Sequence, residues 1–172
     1  MKINKIIFFK FFLTFTACIL WYSCNNHIDY KLIIEKYSSE ELLCDSLLEI
    51  EGVNIFLGEP YTGSCLTYND TFTVKTGLES YVNGKIEGVS MGYYPSGEVD
   101  YIGYRKNGEI NGDYIKFHEN GEIAITGQFK NGLYVGTFMF YDINGETIEK
   151  KRYNEFGILL NSKTFKWKKQ SI

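Results

Sequence analysis

GVSMGYYPSGEVDYIGYRKNGEIN at 88–111, GDYIKFHENGEIAITGQFKNGLYV at 112–135 and GTFMFYDINGETIEKKRYNEFGIL at 136–159 repeat one pattern every 24 residues. Each unit opens with Gly88, Gly112 or Gly136 and carries an aromatic at its sixth position (Tyr93, Phe117, Tyr141). Each then reaches Gly-Glu at its tenth and eleventh positions. A second turn signal recurs at Asn83-Gly84, Asn107-Gly108 and Asn131-Gly132, then decays to Asn154-Glu155-Phe156-Gly157 with one inserted residue. Asn-Gly between alternating runs is a strong hairpin signal, because a type I′ turn needs positive φ at both central residues. The spacing therefore predicts two strands and two turns per repeat, with the turns at Gly84, Gly97, Gly108, Gly121, Gly132 and Gly145.

Alternation assigns faces. Met91 and Tyr93, Ile115 and Phe117, and Met139 and Tyr141 share one parity on the first strand of each repeat. Val99 with Tyr101 and Ile123 with Ile125 are expected beside them on the second strand, completing one apolar face. The other parity is mixed, placing Tyr94, Tyr114, Phe138 and Phe140 near Lys116 and His118. Two readings stand for those aromatics: core buried by a curling sheet, or the anchors of a binding surface.

The whole chain of 172 residues agrees with this reading, with 17% aromatic residues and 17 glycines against two prolines. Aromatics suit a pleated surface, and glycine supplies tight turns. A hydrophobic fraction of 44% excludes a disordered chain. The fold class expected is all-β, a single-layer antiparallel meander of repeated hairpins, with a short N-terminal helix.

The repeat pattern, followed by an aromatic and Asn-Gly, resembles the MORN-repeat variant found in bacterial exported proteins. The resemblance covers residues 60–157, where Pro60-Tyr61-Thr62-Gly63 is similar to the opening of such arrays. It implies a meander without cofactor that scaffolds or binds a protein partner, with no small-molecule substrate. Some relatives are labelled antitoxins, which gives the alternative of an antitoxin or immunity protein that neutralises a toxin by direct binding. Lys151 departs from the pattern, standing where the sixteenth column has Gly103 and Gly127.

Residues 1–23 read as an export signal: Lys2, Lys5 and Lys10 precede an uncharged run at 11–22 that ends in Ser23-Cys24. The run is shorter than the ~20 residues of a membrane-crossing helix. It resembles a lipoprotein signal, implying a lipid on Cys24, with Cys18 the fallback, and a bacterial envelope address. Removal of the signal leaves 15 basic against 21 acidic residues, net −6. The basic ones concentrate at 150–172, which carries +6, so 24–149 carries −12. An acidic body disfavours nucleic acid as partner. The basic end is expected to be an edge strand kept soluble by lysines.

Residues 24–52 form an anchor-proximal segment before a repeat domain at 53–172. In it, Ser38-Ser39-Glu40-Glu41 has capping-box spacing, and Leu42, Leu43, Leu47 and Leu48 predict a helix face ending near Gly52. A strand at 53–57 is expected to close a hairpin with 65–68. Cys44 and Cys65 remain as two free thiols or one disulfide.

No residue pattern predicts chemistry. The glycine spacings follow the repeat, and Asp142-Ile143-Asn144-Gly145-Glu146 is a turn column rather than a calcium loop. Glu98, Glu122 and Glu146 are expected to form a surface ladder, and His118 lies beside no nucleophile pattern. The chain is expected to be no enzyme, with no catalytic, metal or cofactor residue.

Overall fold

The computed structural model describes residues 30–37, 42–71 and 73–165. Cys18, Cys24, the segment 38–41 and the lysines from 166 onward lie outside the described residues. A helix, α1, spans Tyr30–Tyr37. Three short strands, β1 (Leu48–Ile50), β2 (Val53–Phe56) and β3 (Glu59–Pro60), form one antiparallel sheet.

The remaining nine strands form a meander in chain order: β4 (Gly63–Tyr68), β5 (Lys75–Val82), β6 (Lys85–Tyr93), β7 (Val99–Lys106), β8 (Glu109–Phe117), β9 (Ile123–Lys130), β10 (Leu133–Tyr141), β11 (Thr147–Tyr153) and β12 (Leu159–Thr164). This is the all-β antiparallel fold that the repeat predicts.

The Asn-Gly turns adopt positive φ at both residues, 49° and 74° at Asn83-Gly84, 52° and 81° at Asn107-Gly108, and 49° and 76° at Asn131-Gly132. Each turn is tied to the one before it. The Gly108 N–H donates to the Ile86 carbonyl at 3.0 Å, and the Gly132 N–H to the Ile110 carbonyl at 2.9 Å. At the opposite end of the strands, the Tyr94 hydroxyl donates to the Phe117 carbonyl at 2.7 Å. His118, one repeat on, places its Nε2 3.0 Å from the Tyr141 carbonyl. Neighbouring repeats are thus stapled at both strand ends, as expected where each unit touches only its neighbours.

Four expectations are corrected. First, Val99 and Tyr101 do not share a face. Tyr93 pairs with Val99 while Gly92 pairs with Tyr101, so Asp100 is an extra bulged residue. The same slip recurs at Lys116/Phe117, where Ile125 pairs with Lys116 and Ile123 with Phe117. The apolar row therefore runs Leu66, Leu78, Met91, Ile102, Ile115, Thr126 and Met139, each directly opposite the next. Tyr101 and Ile125 lie on the other face.

Second, the turn after β11 is not a frayed Asn-Gly hairpin. Asn154 Oδ1 accepts the N–H groups of Phe156 and Ile158 at 3.0 and 2.9 Å. Asp142 Oδ1 does the same with Asn144 and Glu146 at 2.9 and 2.8 Å, so 154–158 copies the turn type of the opposite end.

Third, the leucines at 42–48 are not helical. Leu43 is extended, with φ −85° and ψ 133°, before a 3-10 turn at Cys44–Ser46. The Leu42 carbonyl accepts the Leu66 N–H at 2.7 Å, so this stretch runs beside the β4 edge. Leucine spacing suits a helix face, but the unpaired edge of β4 offers backbone partners that a helix would leave unused.

Fourth, β2 pairs with β1 and β3, whereas β4 pairs with β5. The predicted hairpin between 53–57 and 65–68 does not form, and strand structure begins at Leu48, before residue 53.

Candidate binding site

One row of the second face runs Glu79, Ser90, Gly103, Tyr114 and Gly127, each opposite the next. The bare glycines make room for rings. A Cβ on Gly127 would overlap the Phe138 ring, and one on Gly92 the Tyr101 ring. From Tyr101 the rings form a chain. Tyr101 stacks on Tyr114 at 5.9 Å, and Tyr114 meets Phe129 edge-on at 5.3 Å. Phe129 contacts Phe138 at 5.5 Å, and Tyr134 contacts Phe138 at 4.7 Å and Tyr153 at 5.2 Å. Offset and edge-to-face pairs of this kind add to the stability gained by burial.

The predicted aromatic surface is thereby divided. Phe138 is 1% exposed and belongs to the interior, which removes it from any exposed binding surface. Tyr114 is half-buried in the ring chain, and Phe140 lies under Lys151 Nζ at 4.8 Å from its centroid. Tyr94 and His118 sit in the turn ladder instead. Burial, then the nearby Asp100 carboxylate, pushes the Tyr94 hydroxyl up to about 12, and the Tyr114 hydroxyl rises to about 12 for the same two reasons in the same order. Both remain protonated donors at neutral pH. Lys116 pairs with Asp100 at 3.0 Å. Glu98, Glu122 and Glu146 are all exposed.

Between Tyr101, Ile110, Tyr114 and Phe129, over the Gly103 floor, lies an open groove of about 290 Å³. Its polar wall is Ser90 and Arg105. Ser90 Oγ donates to Glu79 Oε1 at 3.0 Å. Arg105 Nε donates to Ser90 Oγ at 3.4 Å and lies 3.5 Å from Glu79 Oε2, while Nη1 donates to the Gly108 carbonyl at 2.9 Å. Glu79 Oε2 is buried and has no hydrogen bond, so the Arg105 charge is its compensation. Burial raises the Glu79 carboxyl above its ordinary value, against the pull of Arg105 and the Ser90 bond.

A second group of exposed residues was missing from the sequence reading. Leu133, Tyr134, Phe156, Ile158, Leu159 and Leu160 are all exposed, Phe156 by 68% and Leu160 by 59%. Phe156, Ile158, Leu159 and Leu160 lie on β12 and the turn before it, and Leu133 and Tyr134 open β10, where the Gly157 position lies against the Leu133 side chain. Among the described residues nothing pairs with the outer edge of β12. Lys150 and Lys163 stand directly opposite each other on β11 and β12, and both are exposed. The expected edge strand at the basic end is present as β12, with these apolar side chains beside its lysine.

The opposite edge differs. Beside β4, Cys44 and Cys65 form a disulfide with Cα atoms 5.0 Å apart, resolving the two readings of those cysteines. The Asn54 N–H donates to the Gly84 carbonyl at 2.8 Å and the Gly84 N–H to the Tyr61 carbonyl at 2.6 Å, so the small sheet docks on the first Asn-Gly turn. Phe56, Tyr61 and Tyr81 continue that contact through their rings, at 6.0 and 5.8 Å.

Among the described residues no group of three His, Cys, Asp or Glu is placed to hold a metal ion, and no helix is long and apolar enough to cross a membrane. No family model and no curated protein matches the chain. It is similar to part of a crystal structure of accessory secretory proteins 1, 2 and 3 of Streptococcus pneumoniae, with 16% identity and TM-score 0.35, covering 72% of this chain and 22% of that one. It is also similar to part of a mutant of S. aureus TarM, with 13% identity and TM-score 0.29, covering 83% of this chain and 24% of that one. The chain thus spans under a quarter of either neighbour, and likenesses of this size assign no function.

Proposed function

We propose that this chain is a non-catalytic protein-binding module, held at a bacterial membrane by a lipid on Cys24, whose protein partner docks on the β12 end of the array. The observation that carries this reading is the exposed apolar group Leu133, Tyr134, Phe156, Ile158, Leu159 and Leu160 near a strand edge that no described residue pairs with. An exposed edge strand with apolar side chains is a template for strand addition by another chain. A repeat array also needs a polar outer unit to end in solvent, and β12 supplies none on its leucine positions. The envelope address rests on the signal-like residues 1–23 alone.

The test is to compare Leu160→Lys with wild type in capture of partners from membranes. A side chain already 59% exposed contributes little to stability, so the variant should melt as wild type does while losing a specific partner. Capture of the same partner by Leu160→Lys would refute docking at β12. Cys24→Ala should separately abolish fatty-acid labelling; labelling that persists and then vanishes in Cys18→Ala would move the anchor.

A further inference from the structure

The repeat columns serve as an internal standard for the groove. Residues 24 apart occupy equivalent places, so Ser90 stands where Tyr114 and Phe138 stand, and Arg105 where Tyr81, Phe129 and Tyr153 stand. Glu79 stands where Gly103 and Gly127 stand, in a column that Lys151 also breaks at the far end of the array. Three departures from one pattern thus fall on three neighbouring strands, and the three side chains touch one another. Packing alone does not ask for this, because Tyr114 and Phe138 show the same places filled by rings over Gly103 and Gly127. Half-burying an arginine and a glutamate costs desolvation that a Tyr-over-Gly pair avoids.

We propose that this groove is a saccharide-binding site, in which a neutral sugar ring lies against Tyr101 and Tyr114 while Arg105 donates to its hydroxyls. The two rings lie 26° from parallel with centroids 5.9 Å apart and both line the groove, where an aromatic ring suits the C–H face of a pyranose. Gly103 contributes no side chain to the floor, where a Cβ would come within 3.3 Å of the Tyr114 ring and 3.4 Å of Ile110. The charges at and beside the groove are paired: Arg105 on its wall is matched by Glu79, and Lys116, opposite Tyr101 on the next strand, by Asp100. Such a site rewards hydrogen bonding without favouring an anion or a cation. Arg105 spends Nε and Nη1 on Glu79, Ser90 and Gly108, which holds the guanidinium in place and leaves Nη2 to the ligand. Glu79, whose Oε2 is sealed from solvent, is a positioning residue and not a contact. A groove of about 290 Å³ suits one or two rings, at the small end of ligand sites. The site is distinct from the β12 end and stands or falls independently of docking there.

Saturation-transfer NMR on the full chain, with glucose, N-acetylglucosamine, cellobiose and maltose as probes, tests the proposal. At least one should receive saturation on its ring C–H protons. Gly103→Val, which fills the floor, and Arg105→Gln should each weaken that binding about tenfold or more, while Asn161→Ala on β12 leaves it unchanged. Thermal melting checks the fold. If Arg105→Gln melts early, Arg105→Lys replaces it and must weaken binding too, because it keeps the charge and loses the planar fork. Absence of transfer to all four sugars overturns the proposal, as does full binding by the variants. A proline-rich peptide that displaces the sugar more tightly than the sugars bind would overturn it in favour of a peptide groove.

Discussion

Along one row of the sheet, Leu66, Leu78, Met91 and Ile102 are buried to 7%, 0%, 1% and 3% exposure, while Lys150 and Lys163 end the same row exposed to solvent. Both ends belong to one continuous meander. What differs is the cover: the β4 end has the strap at 42–46, the disulfide and the small sheet, and the β12 end has nothing among the described residues. A single-layer array does not make a core by repetition alone. Each unit shields its neighbours, and the ends must be closed by something outside the pattern. The chain closes one end with its own sequence and, on our proposal, the other with a partner.

The sharpest challenge to this contrast lies near the open end. Phe138 on β10 is only 1% exposed, enclosed by Phe129, Tyr134 and Tyr153 over Gly127. Phe138→Ala should therefore cost about 3 to 5 kcal/mol in denaturant unfolding. A cost below ~1 kcal/mol would mean that the open end is loose throughout, rather than only at its last strands.

At the closed end, Cys44→Ala removes a cross-link between residues 21 apart in sequence. The chain-entropy relation gives about 3 kcal/mol for a loop of that size. The loss should match that of the wild type under reductant. If unfolding midpoints are unchanged, the strap closes the β4 edge without the disulfide.

The turn glycines sharpen the contrast at a single backbone position. Gly108→Ala and Gly132→Ala place a Cβ in open space, so only the positive φ of 81° and 76° opposes them, at about 1 kcal/mol each. Gly84→Ala adds a clash with Val53 and an approach of 2.7 Å to the Asn54 carbonyl. It should cost clearly more, and equal costs would show that the small sheet is not docked on that turn.

The smallest effect concerns pH. The fold raises the Glu79 carboxyl above its ordinary value of 4.5, so the folded state favours the protonated form. The stability linked to this group is therefore complete below that value and is lost as pH rises through the raised one. Relative to Glu79→Gln, the wild type should lose stability as pH rises above the ordinary carboxylate value of 4.5. Parallel pH profiles would mean that Arg105 compensates the carboxylate in full.

The fold was largely legible because its signals are local. Asn-Gly pairs and period-2 alternation name hairpins without reference to distant residues, and a meander needs no long-range choice of partner. The bulges at Asp100 and Ala124 were not, since an inserted residue reverses the faces that alternation assigns and leaves no compositional mark. The leucines at 42–48 misled because their spacing fits a helix while their backbone completes an edge. The Cys44–Cys65 bond needs the chain reversal that brings 44 beside β4. The groove had a readable signal: Glu79, Ser90 and Arg105 all break the 24-residue columns, and comparing columns for departures as well as agreements would have found them. Of the exposed apolar residues, Phe156, Ile158 and Leu159 fall where the third repeat decays and Leu160 just beyond it, and alternation does not say which side chains an end strand leaves uncovered.

Residue-resolved hydrogen exchange on the isolated chain tests the two-ended account most directly, because amide protection reports local opening strand by strand. We expect the strongest protection in β5 to β7, a decline through β10, and the fastest exchange among strands of the large sheet in β12. Cys44→Ala should lower protection at β4 and leave β12 as it was. Protection of β12 equal to that of β6, or a β4 edge that opens before β12 with the disulfide intact, would contradict the account.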